Sequence, residues 1–172
     1  MALQPLGKRL LVALATASLV SLPSCGGGNG SPSTPSTPEP TQASITVTAA
    51  PNPITAVACT PATCTSNTPP WQWSLQGAVS VQESAGVAGN VDYINLTFLR
   101  GSFVGNTTNY GSDYVIRRLG TNHVGARASI SVPIGYVYWT GDGGSDIVLN
   151  VTVHFTDDRG HQIVGTVQWM VK

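Results

Sequence analysis

The chain has 172 residues, with 8 Lys plus Arg against 8 Asp plus Glu and no formal net charge. Charged residues are only 9% of it, against about 25% in an average soluble protein, and so few bases argue against a nucleic-acid partner, which needs clustered Lys and Arg to neutralise phosphate. A hydrophobic share of 41% argues against global disorder, and the length allows one ordinary domain with appendages.

Residues 1–24 read as an export signal. Lys8 and Arg9 supply a positive start, and Leu10 to Leu22 is an uncharged run of 13 residues. That run falls short of the roughly 20 apolar residues a membrane-spanning helix needs and suits the core of a secretory signal. It ends in Leu22-Pro23-Ser24-Cys25, which resembles the bacterial lipobox, with Leu at −3, a small residue at −1 and then Cys. The resemblance implies cleavage before Cys25, acylation of that Cys, and a membrane-anchored envelope lipoprotein. Several acyl chains give stable anchoring where one is marginal. Gly26 at +2 is not the Asp that resembles an inner-membrane retention signal, so the outer membrane is the expected location.

Residues 25–43 follow as a lipidated Cys and a Gly/Ser/Thr/Pro-rich tether, GGGNGSPSTPSTPEPTQA after the Cys. Without a large apolar side chain this segment has nothing to bury and is expected to stay solvated and disordered. As a flexible chain it would span roughly 23 Å.

Residues 44–172 alternate apolar and polar side chains with a period of two. Ile45, Val47 and Ala49 share a face, as do Trp71, Trp73, Leu75, Val79 and Val81; Ile94, Leu96 and Phe98; and Ala126, Ala128, Ile130 and Val132. The pattern returns in Ile147, Leu149, Val151, Val153 and Phe155, and in Ile163, Val167, Trp169 and Val171. Weaker runs at Tyr114–Leu119 and Tyr136–Trp139 read as short edge strands, and no window of 12 residues after position 43 has helical spacing. Strands with one apolar face each, separated by turn residues, predict an all-β antiparallel β-sandwich of about seven to eight strands. Asp157-Asp158-Arg159-Gly160 is a hairpin turn between the last two. The C-terminus, VLNVTVHFTDDRGHQIVGTVQWMVK, resembles the final hairpin of immunoglobulin-like and fibronectin type III-like domains, which implies that architecture and no particular function. The Cys…Trp…Cys spacing of antibody domains is absent.

With Cys25 assigned to lipid, Cys59 and Cys64 remain as a pair spaced C-x4-C. In an exported chain an even pair reads as a disulfide; a metal or redox pair is the rival. His154 and His161 flank the last turn beside Asp157 and Asp158, where a two-His, two-Asp metal site is conceivable, although a solvated turn needs no ligand. Gly141-Asp142-Gly143-Gly144-Ser145-Asp146 resembles one calcium-binding nonapeptide repeat, but a single copy has no partner turn. Arg117-Arg118 is the sole basic doublet after the export signal and reads as a solvated edge. No metal or cofactor is expected.

Tyr136 and Tyr138 lie on one face of their run, and Val137 and Trp139 on the other, so one of these pairs is exposed if the other is core. Tyr136, Tyr138 and Trp139 are thus the candidate binding surface, since exposed aromatics suit sugars or protein partners. No nucleophile, zinc-protease or phosphate-loop signature occurs. The expectation is a non-enzymatic lipoprotein, anchored to the membrane through Cys25, whose β-sandwich binds or spaces a protein or glycan partner. A small periplasmic enzyme or inhibitor working through polar loops is the alternative.

Overall fold

Alternating burial runs along most of the long strands, and it sorts the chain into two antiparallel sheets packed face to face. The computed structural model describes residues 38–60, 64, 73–139 and 146–172. Cys25, most of the tether, Trp71 and most of the Gly141–Asp146 loop lie outside the described residues. Pro38–Lys172 forms one compact unit, and Ala43, at the expected tether boundary, is already buried.

The elements in chain order are β1 (Ile45–Ala50), β2 (Val57–Ala58), β3 (Trp73–Glu83), β4 (Gly89–Arg100), β5 (Phe103–Gly111), α1 (Ser112–Leu119), β6 (His123–Val124), β7 (Ser129–Tyr138), β8 (Ile147–Asp157) and β9 (Gln162–Val171). In one sheet β3 is central, with β1 and β2 along one side and β7 along the other. The second sheet has the order β5-β4-β8-β9, with β6 also pairing β4. This is the expected immunoglobulin-like sandwich, and β8 and β9 form its final hairpin. Among the described residues no helix is long and apolar enough to cross a membrane.

The inner faces meet in one core. Val151, Val153 and Phe155 of β8 are buried as the alternation predicts, and so is Trp169 of β9. Trp169 also donates its indole N–H to the Pro51 carbonyl at 2.6 Å. Its ring lies against Gly77, where a Cβ would stand 2.4 Å from Cζ2 and 2.7 Å from the Ala50 carbonyl oxygen. Any larger residue at 77 would have to displace both the ring and backbone.

Two segments depart from the sequence expectation. Tyr114–Leu119 is not an edge strand but most of helix α1, and Arg117-Arg118 forms its last turn, where positive charge suits the carbonyl end. Val115 is the residue that docks it, fully buried. A helix of 8 residues is too short to be stable alone, so packing against the core holds it, and its Tyr, Val and Ile residues carry strand propensity. β5 was not expected as a strand at all. It has no apolar alternation and is held to β4 by polar cross-strand pairs, Thr97 with Thr107 and Asn95 with Asn109, each at 2.8 Å.

β7 joins two runs that read as separate in sequence. Its inward residues Val132, Ile134, Tyr136 and Tyr138 keep the same face throughout. Pro133 and Gly135 interrupt the apolar pattern without breaking the strand, because β7 is an edge and a proline there need not cost a ladder hydrogen bond.

Candidate functional site

The long axis of the sandwich has two chemically distinct poles. β3 has 11 residues, about 35 Å at the usual rise, and runs from Trp73 at one pole to Glu83 at the other. Register places Tyr138 beside Trp73, and Arg100 opposite both Phe103 and Ile147, at the first pole. At the second pole lie Glu83, Asp157 and the start of β1.

The aromatic pole carries a groove of about 360 Å³ where the free edges of β5 and β7 part. One wall comes from β4 and β5, with Phe98, Phe103, Gly105, Asn106 and Thr108. The other is the end of β7, with Tyr136, Val137, Tyr138 and the following Trp139. Among the described residues the lining holds no charged side chain. Gly105 keeps the floor open, since a Cβ there would come within 2.9 Å of the Phe98 ring. The Phe98 and Tyr138 rings stand 5.7 Å apart, and those of Tyr136 and Tyr138 6.1 Å apart.

The three aromatics named from sequence are brought together here in different roles. Tyr136 and Tyr138 are not an exposed platform: they are 8% and 3% exposed and face the space between the sheets, because pairing with β3 turns their side of β7 inward. Trp139 is the exposed member at 57%, and Phe103, at 62%, stands on the opposite wall. Phe103, Asn106 and Thr108 lie on a strand without periodicity, so no pattern marks them as groove residues.

Burial, and then its neighbour Tyr136, push the Tyr138 hydroxyl up to about 12. Burial likewise raises Tyr136, against a hydrogen bond to the Thr108 side chain that lowers it. Both hydroxyls are therefore neutral donors at physiological pH. The Tyr138 hydroxyl is enclosed yet has no hydrogen-bond partner, a situation that costs about 1–3 kcal/mol in a finished core. The groove therefore has aromatic walls, amide and hydroxyl groups, and one unsatisfied hydroxyl.

At the second pole two buried carboxylates organise the backbone. Glu83, 0% exposed, accepts N–H bonds from Ser44 (3.3 Å), Ala85 (2.7 Å), Gly86 (2.9 Å) and Arg127 (2.8 Å). Burial alone would raise its pKa; the four backbone amides outweigh that and hold it below the ordinary value. Asp157, 2% exposed, accepts from the N–H groups of Ala43 (3.1 Å), Arg159 (3.0 Å) and His161 (2.8 Å). It also accepts from His161 Nδ1 at 3.1 Å, which must then carry a hydrogen. Burial opposes ionisation here as well, yet the His161 and Ala43 amides, the His161 ring and the Arg159 amide bring Asp157 down to about 2.

Asp157 is thus not part of a solvated turn. Its carboxylate is spent on backbone amides, and His154 instead stacks on Tyr93 with centroids 4.1 Å apart. Among the described residues no group of three or more His, Cys, Asp or Glu is arranged to hold a metal ion. Cys59 and Cys64 form the expected disulfide, with Cα atoms 5.5 Å apart, in the loop that leads towards β3 at the aromatic pole.

No family model matches the chain, and no curated protein matches it. Among solved structures, the sporulation control protein Spo0M from Bacillus subtilis is similar over 76% of this chain, at 10% identity and a TM-score of 0.38. The match covers 49% of the Spo0M chain, so this protein spans about half of that one.

Proposed function

We propose that the protein is a bacterial envelope lipoprotein, anchored through lipid on Cys25, whose sandwich holds a protein or glycan partner in the aromatic groove. The observation that carries this reading is the separation of the poles. The chain enters the sandwich beside Glu83 and Asp157, through the Ala43 and Ser44 amides, whereas the groove with Trp139 and Phe103 lies at the opposite end. A tether from a lipidated Cys25 would therefore join the domain at the pole remote from the groove. The uncharged lining among the described residues supports recognition over acid–base chemistry, which needs paired titratable groups at the reacting centre.

The test is fractionation of cells expressing the wild type or Cys25→Ser, with N-terminal mass analysis, followed by pull-down from envelope extract. Wild type is expected in the membrane fraction with acyl mass on Cys25, and Cys25→Ser in the soluble fraction. Capture of an envelope component is expected to be lost in Trp139→Ala. A soluble, unacylated wild type overturns the anchor, and capture indifferent to Trp139 overturns the groove.

A further inference from the structure

We propose that the ligand of the aromatic groove is a neutral oligosaccharide, an inference that rests on the binding-module reading and names its ligand class. Three features of the groove converge on this chemistry. First, Trp139 and Phe103 stand exposed on opposite walls, 57% and 62% open to solvent. A pyranose ring presents an apolar C–H face that packs on such a surface, with its hydroxyls directed around the rim. Secondly, among the described residues the polar side chains of the lining are hydroxyls and an amide, from Thr108, Tyr136, Tyr138 and Asn106, with no charge among them. These can donate to and accept from sugar hydroxyls, but they offer nothing to compensate an ionic ligand. Thirdly, the enclosed Tyr138 hydroxyl lacks a partner. A ligand hydroxyl would complete it once the side chains that enclose the atom give way, as the few fixed polar groups of a small-molecule site do.

An extended peptide fits less well. Strand addition needs a run of free backbone groups along a sheet edge. On β7 that edge is already used: the Tyr110 hydroxyl donates to the Gly135 carbonyl at 2.7 Å and the Tyr114 hydroxyl to the Pro133 carbonyl at 2.9 Å, while Pro133 has no N–H. What remains beyond Gly135 is too short to seat a strand. The volume of about 360 Å³ lies near the lower end of the roughly 300–1,000 Å³ typical of small-ligand sites, which suits a short oligosaccharide.

The test uses the full-length protein in a zwitterionic detergent, because a sugar-headed detergent would compete. N-acetylchitotetraose and cellotetraose are titrated against it, followed by tryptophan fluorescence and saturation-transfer NMR, with a neutral Val/Thr hexapeptide as the competing probe. Saturable binding of at least one oligosaccharide is expected. Trp139→Ala should weaken it about tenfold or more, the usual effect of truncating an aromatic anchor. Tyr138→Phe should weaken it about three- to tenfold, the worth of one hydrogen bond, while leaving the melting temperature equal or higher. Binding of the sugars that ignores both substitutions, or binding of the hexapeptide in their place, overturns the proposal. Failure of both oligosaccharides, with envelope pull-down still dependent on Trp139, overturns the sugar and leaves the binding module. Failure of both assays removes the two together.

Discussion

Replacing Glu83 by Gln tests the most costly arrangement in the fold. The side chain is fully buried, and its two oxygens accept from four backbone amides on three separate stretches of chain. Glutamine can keep the oxygen that serves Ser44 and Ala85, but its NH2 group must then face the Gly86 and Arg127 amides, donor against donor. Orphaning one buried N–H costs about 1–3 kcal/mol, and bonds to a neutral acceptor are weaker than bonds to a charged one by about 1 kcal/mol. The sum is about 2–4 kcal/mol, a large part of the roughly 5–15 kcal/mol that holds an ordinary domain. At about 3–5 °C per kcal/mol for a domain of this size, the melting temperature should fall by about 6–20 °C at pH 7. The pH dependence supplies a second check. Because the folded carboxyl lies below its ordinary value of 4.5, its stabilising contribution is fully present above that value. It is lost as pH falls through the lowered one. The gap between wild type and Glu83→Gln should therefore close in acid, and Asp157, which titrates in both proteins, cancels from the difference. Differential scanning calorimetry from pH 7 to pH 2 measures this. A gap under about 0.5 kcal/mol at pH 7, or one that does not change with pH, would refute the assignment of the carboxylate to those amides.

Trp169→Ala should destabilise the sandwich by about 3–5 kcal/mol through the cavity it leaves, and denaturant unfolding monitored by far-UV circular dichroism checks it. A companion Trp169→Phe variant should recover much of the loss, since it refills the space beside Gly77 but lacks the indole bond to Pro51. Cys59→Ala opens a loop of six residues, counting both cysteines, so chain entropy predicts a loss of about 2 kcal/mol or less with the sheet signal intact. Non-reducing peptide mapping should find the link in wild type, and a loss well above that figure would mean the loop does more than shape the aromatic pole.

The strands were legible where burial is one-sided. In β8 every second residue from Ile147 to Phe155 is buried, and the sequence alternates in step. β5 and α1 were not legible, because neither is specified by an apolar pattern of its own. β5 pairs through Asn and Thr side chains, and α1 is fixed by the buried Val115, with Tyr114 and Leu119 packed partly buried on the surface that the sheets provide. For β7 the alternation separated Tyr136 and Tyr138 from Val137 and Trp139 correctly, but a period of two cannot say which set faces inward. That sign is set by pairing with β3, more than fifty residues away in sequence. The two carboxylates were hidden for the same reason. Glu83 and Asp157 stand at strand ends beside turn residues, where acids are ordinarily solvated. Some of the amides they hold lie two to four residues on, as at any solvated turn, whereas the Arg127 and Ala43 amides that close them off are 44 and 114 residues distant, so nothing local announces their burial.

In the lipoprotein proposed above, the two carboxylates would stand where a load enters the sandwich. β1 runs antiparallel to β3 from Ile45 opposite Glu83 to Ala50 opposite Ala78, and it lies along the axis joining the two poles. A tether fixed at the membrane and a ligand held in the groove would pull along that axis, parallel to β1. The ladder is then sheared as a whole instead of being opened one bond at a time from its end. The first groups to feel the load are the Ala43 and Ser44 amides, the two that Asp157 and Glu83 hold. Both acceptors are ionised and buried, so these bonds are charge-assisted and shielded from competing water. Ahead of them, Glu39 pairs with Arg159 of the β8–β9 turn on the exposed surface, where an ion pair contributes little. Resistance therefore begins at Ala43, where the chain first enters the core. An apolar residue in place of either carboxylate would pack there, but it would leave those amides without an acceptor at the point of greatest strain.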